Sequence, residues 1–124
     1  MAPAPTRTIA DMSGQLFAGI SVSDYPRALE WYERLLGEPP SFSPNDVESV
    51  WDVNESGWVY VELRPQHAGH ALVTIFVEDI EGLVASISAR GIDPTNRETY
   101  ENGVHKVTYR DADGNEVGFG GQLE

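Results

Sequence analysis

The chain has 124 residues, of which 40% are hydrophobic, with no cysteine and a formal net charge of −12. That length suits one domain, or two small halves sharing a core. The missing cysteine excludes disulfides, thiolate metal sites and a cysteine nucleophile, and the negative charge opposes binding to nucleic-acid phosphates.

Residues 1–15 read as a flexible arm. With Pro3, Pro5, Arg7 and Asp11 they lack the apolar stretch of a signal peptide. No apolar run elsewhere approaches the ~18 residues of a membrane span, so a cytoplasmic location is expected. The alternation over Leu16–Val22 predicts a strand with Leu16, Ala18, Ile20 and Val22 on one face and Phe17, Gly19 and Ser21 on the other. Asp24 is placed to cap a helix over Tyr25–Leu36, with Pro26 early in it and Gly37 at its close. Pro39-Pro40 breaks the chain, and a short strand is expected near Ser41–Ser43. Val47–Val53 and Trp58–Arg64 read as a hairpin around Asn54-Glu55-Ser56-Gly57. In its second strand Trp58, Tyr60, Glu62 and Arg64 share a face, while the pattern leaves the face of Trp51 open. Pro65–Gly69 is a linker.

The second half repeats the first at an offset of 55 residues: Ile20, Val22 and Asp24 return as Ile75, Val77 and Asp79, and Gly91 closes a helix as Gly37 does. The strand His70–Val77 sets Val73, Ile75 and Val77 against His70, Leu72, Thr74 and Phe76. A helix follows Asp79, then strands at Thr95–Tyr100, Val104–Arg110 and Glu116–Gly120, the last two joined by the turn Asp111-Ala112-Asp113-Gly114-Asn115. The order β-α-β-β-β, twice, predicts an α+β fold. Two modules, 16–64 and 70–120, flank the linker 65–69, and residues 121–124 form a tail. Helices would cover the outside, leaving a curled mixed sheet around a cavity.

Three stretches carry a resemblance to a known family: Val22-Ser23-Asp24, Trp31-Tyr32-Glu33-Arg34-Leu35-Leu36-Gly37, and Asp111-Ala112-Asp113-Gly114-Asn115-Glu116, with Ala112 where the family has proline. Over Leu16 to Gly120 the chain resembles the vicinal oxygen chelate superfamily, which includes glyoxalase I, extradiol dioxygenases, and fosfomycin and bleomycin resistance proteins. The resemblance places the family's metal-ligand positions on Phe17, Glu62, Leu72 and Gly118, and only Glu62 has a donor side chain. One carboxylate cannot replace the hydration shell of a divalent ion. No metal or other cofactor is therefore expected. A displaced site using Glu62, His70 and His105 is the alternative.

The face that would line the cavity offers Phe17, Trp58, Tyr60, Leu72 and Phe76 as apolar surface. Ser21, Thr74 and Glu62 supply sparse polar groups, and Gly19 and Gly118 would leave space. A flat ligand could stack on Trp58 or Tyr60, and a cationic one could pair with Glu62. No Gly-x-Ser-x-Gly elbow is present, and Gly118-Phe119-Gly120-Gly121 ends a strand rather than opening a phosphate-binding helix. The leading expectation is a metal-free homodimer that sequesters an aromatic or cationic small molecule, in the manner of bleomycin resistance proteins. Such a role would belong to antibiotic resistance. One alternative is a lyase, isomerase or dioxygenase with a displaced metal or none; another is a dimeric interaction module with a vestigial cavity.

Overall fold

Alternation and capping decide where the elements begin and end. The computed structural model describes residues 7–122; the outer part of the expected arm, 1–6, and positions 123–124 of the expected tail lie outside the described residues. A short 3-10 turn over Ile9–Met12, closed by reciprocal bonds between Thr8 and Asp11, precedes β1, Leu16–Val22. Asp24 then accepts a hydrogen bond from the Arg27 N–H at 3.2 Å, opening α1, Tyr25–Leu36, which Gly37 closes at φ 83°. The rest of the first module is β2, Phe42–Asn45, β3, Glu48–Asn54, and β4, Gly57–Leu63. The second module runs β5, Leu72–Phe76, α2, Ile80–Ala89, β6, Asn96–Thr99, β7, Val104–Arg110, and β8, Glu116–Gln122. Asp79 starts α2 by accepting from the Gly82 N–H at 3.0 Å, the counterpart of Asp24.

Each module builds one four-stranded sheet, in the order β1-β4-β3-β2 and β5-β8-β7-β6. The first strand of each module is parallel to its last, and the remaining pairs are antiparallel. The internal repeat is therefore a repeat of topology, and the α+β fold of two βαβββ modules is the one observed. The two sheets stay separate, with β1 and β5 each at a sheet edge. No helix of the described residues is long and apolar enough to cross a membrane.

One core serves both modules. Tyr32 and Leu35 of α1 and Ile80, Val84 and Ile87 of α2 pack with Ile20, Val61, Val107, Tyr109 and Phe119 from the inner faces of the sheets. Trp51, whose face the pattern left open, belongs to this core at 1% exposure and donates its indole N–H to the Glu38 carbonyl at 3.0 Å. Because the inner faces meet through the helices, the opposite faces point outward. The curled sheet around a cavity does not close within one chain.

The linker and the β7–β8 turn lock the modules together. The Asn115 side-chain oxygen accepts from the N–H groups of Gly69 and Ala71 at 3.1 and 2.9 Å. Its amide donates to the Ser21 carbonyl and to Asp111, both at 2.8 Å. Tyr32 donates its hydroxyl to the same Asp111 carboxylate at 2.7 Å, tying α1 to the second module. Two of the three stretches that carry the family resemblance thus meet in one buried network, and the third ends beside it, where the Ser23 N–H donates to Asp113 at 3.0 Å.

Candidate functional site

On sheet one the parallel register sets Phe17 beside Trp58, Gly19 beside Tyr60 and Ser21 beside Glu62, so the candidate residues of β1 and β4 share the outward face. The rings of Phe17 and Trp58 stack with centroids 4.9 Å apart and planes 10° from parallel. Phe17 therefore covers one face of the Trp58 indole and keeps 48% of its own surface exposed. Glu62 sits with Oε1 3.6 Å from Arg64 Nε, so its carboxylate already has a cationic neighbour. On sheet two, β5 presents Leu72 at 78% exposure, Thr74, and Phe76 at 62%. They stand beside a floor of β8 in which Thr74 pairs with Gly118 and Phe76 with Gly120.

The glycines do not leave empty space, contrary to the expectation from sequence. A Cβ on Gly19 would lie 2.5 Å from Tyr60 Cζ, so the ring of Tyr60 occupies that position. A Cβ on Gly118 would lie 2.8 Å from Lys106 Cε, so the lysine stem occupies this one. Each glycine makes room for a long side chain from a hydrogen-bonded strand. The sequence reasoning missed Lys106; the signal for it was its parity on β7, opposite to that of the buried His105, Val107 and Tyr109.

The donor set does not fit a divalent metal. Phe17, Leu72 and Gly118 have no ligating atom, and among the described residues no three His, Cys, Asp or Glu side chains gather. The displaced site fails on geometry as well. His105 lies on the inner face with Val107 and Tyr109, buried at 9% exposure, with Nδ1 3.1 Å from the Thr99 hydroxyl. Glu62 faces outward on the other sheet, and His70 is exposed just before β5. The structure therefore does not bring these three together. His105 Nε2 is buried without a partner in the packed interior.

Two concavities lie elsewhere. One is a groove of about 490 Å³ between α1 and the β7–β8 turn, lined by Arg27, Trp31, Arg34 and Arg110 among others. The other is a smaller apolar cleft of about 130 Å³ between the modules, near Trp51 and Phe119. Neither is on the outward faces of the sheets, which are open surfaces in a single chain. Inside the fold, burial and the neighbouring Asp111 carboxylate push the Tyr32 hydroxyl well above the ordinary tyrosine range, so it stays protonated as a donor.

With this topology and network in place, the class of protein follows: a paired βαβββ protein of the glyoxalase fold. Residues 14–119 match the family model of the Glyoxalase/Bleomycin resistance protein/Dioxygenase superfamily, and the chain belongs to that superfamily. Among solved structures it is similar to a glyoxalase / bleomycin resistance protein from Catenulispora acidiphila, at 46% identity and a TM-score of 0.85, covering 89% of this chain and 99% of that one. TioX from Micromonospora shares the fold at 20% identity and a TM-score of 0.68, with 89% and 99% of the two chains covered. So does lactoylglutathione lyase from Agrobacterium tumefaciens, at 17% identity and a TM-score of 0.68, with 88% and 93% covered. No curated protein matches the sequence.

Proposed function

We propose that the chain binds a small aromatic molecule without metal chemistry, on the outward faces of its two sheets. The observation that carries this is the apolar surface standing where the superfamily places metal ligands: Phe17 is 48% exposed on sheet one and Leu72 78% exposed on sheet two, with Phe76 on the same strand as Leu72 at 62%. Such residues on a monomer surface mark a ligand or partner site. Each face has few polar groups, which suits recognition of a mostly apolar ligand with one or two anchoring contacts. Phe17, exposed beyond its stack on Trp58, offers a ring to a flat ligand, worth roughly 0.5–1.5 kcal/mol beyond burial. Neither face is enclosed, and a second copy of the chain is the occupant that would wall both. Sequestration by a homodimer is accordingly the function favoured here, over turnover.

The test is a thermal-shift and Trp-fluorescence screen of aromatic compounds, run with and without Zn²⁺, Ni²⁺ or Mn²⁺. Hits are expected to bind equally well without metal, and Phe17→Ala or Leu72→Ala should weaken them about 3- to 10-fold, near 1 kcal/mol of lost contact. Stoichiometric metal uptake that disappears in Glu62→Ala or His70→Ala would refute the metal-free reading and put an enzyme in its place.

A further inference from the structure

The chain has a single lysine, Lys106, and it lies across the position that the superfamily uses for its last metal ligand. A point one methyl out from Gly118 is 2.8 Å from Lys106 Cε, 3.7 Å from Lys106 Nζ and 3.6 Å from Thr74 Oγ1. The ammonium and the Thr74 hydroxyl thus flank the same spot on the floor of sheet two. Phe76 packs over the next glycine of that floor, its Cε1 3.5 Å from a Cβ built on Gly120.

Lys106 as a residue is half-buried, and its ammonium has no ion pair or hydrogen bond among the described residues, in a protein with 20 acidic side chains. The nearby carboxylates are engaged elsewhere. Glu98 is directly opposite Lys106 in the β6–β7 register, yet it accepts from the Asn96 amide and the Tyr100 hydroxyl, each at 3.2 Å. Glu116, on β8, has Oε1 3.7 Å from Arg110 Nη2. A cation whose neighbouring carboxylates are engaged by other groups is free to pair with an incoming anion.

We infer that Lys106, with Thr74 beside it, anchors the oxyanion of an apolar carboxylate whose body rests on Leu72 and Phe76. The inference rests on the small-molecule function proposed above and deepens it. The positive charge that the superfamily draws from a metal is supplied on this face by an ammonium, so the ligand is an anion.

A matched series tests this: 3-phenylpropionate, 3-phenylpropanol and 3-phenylpropylamine, titrated calorimetrically into the full chain and into Lys106→Gln and Lys106→Arg. The carboxylate should bind about 10- to 100-fold more tightly than the alcohol, the effect of a hydrogen bond to a charged group. Lys106→Gln should abolish that preference, and Lys106→Arg should keep most of it. Reductive ¹³C-methylation gives one lysine signal besides the α-amine, and the carboxylate should shift that signal. Alcohol binding with no preference for the carboxylate, or a preference that survives Lys106→Gln, overturns the inference and leaves the small-molecule function standing. If none of the three compounds binds, the inference falls, and the small-molecule function is decided by the aromatic screen alone.

Discussion

Tyr32 shows how one side chain can carry a family signature for structural reasons. Its ring is buried and its hydroxyl donates at 2.7 Å to Asp111, which also accepts from Asn115. Tyr32→Phe keeps the ring and deletes the donor, leaving one carboxylate oxygen short of a partner inside the protein. We expect a loss of about 1–3 kcal/mol in urea denaturation at neutral pH. The same residue sets an alkaline limit. In the unfolded chain a tyrosine ionises near pH ~10, whereas in the fold burial and Asp111 raise that value. Above pH ~10 the unfolded state therefore holds fewer protons than the native one, and stability falls with further rise in pH. The urea midpoint of the wild type should be unaffected by this group below pH ~10 and decline above it, and Tyr32→Phe should show a shallower decline. Equal alkaline slopes would rule out Tyr32 as the source.

At the scale of elements, Asn115 ties the junction between modules above the core that they share. One carboxamide satisfies two N–H groups of the chain entering β5, the Ser21 carbonyl of β1, and Asp111. Asn115→Ala strands several of these buried groups together, so its cost should exceed that of a single hydrogen bond, at about 3–5 kcal/mol by chemical denaturation. A cost below about 1 kcal/mol would mean that water replaces the amide and that the junction is looser than its distances indicate. A second constraint lies beside it. Gly69 has φ 95° and faces the Asp113 carbonyl oxygen, 2.5 Å from where a Cβ would sit. Gly69→Ala therefore adds a backbone clash to a left-handed conformation, and a drop of more than about 1 kcal/mol is expected in thermal unfolding.

The same scale shows what the sequence made legible. Asp24, Gly37 and Asp79 fixed the helices, because capping is a local interaction written in neighbouring residues. Ile20, Val22, Val59 and Val61 fell on the buried face because strand alternation is also local. Trp51 did not follow from pattern, since Ser49, Val50 and Trp51 are buried in succession and β3 shifts register between Asp52 and Asn54. The fillings of Gly19 and Gly118 were hidden for a different reason. They depend on which residue of a pairing strand leans over the glycine, and that is a property of register rather than of any local stretch.

For the whole molecule the open question is what covers the outward faces. A net charge of −12 opposes bringing two copies together. Exposed edges at β1 and β5, with Leu16, Phe17, Leu72 and Phe76 on or beside them, favour it. Which effect wins depends on salt: at 0.15 M the screening length is about 8 Å, so diffuse repulsion weakens while apolar burial does not. Sedimentation at micromolar concentration in 0.15 M salt should therefore show a dimer, with the monomer fraction rising as salt is withdrawn. Leu72→Glu and Phe76→Glu should shift the equilibrium to monomer while leaving far-ultraviolet circular dichroism unchanged, because both side chains lie outside the core. Loss of aromatic-ligand binding when the wild type is diluted to its monomer would place the site between copies. A monomer that still binds ligand fully would place it on one open sheet face, and the edges would then need another explanation for their apolar character.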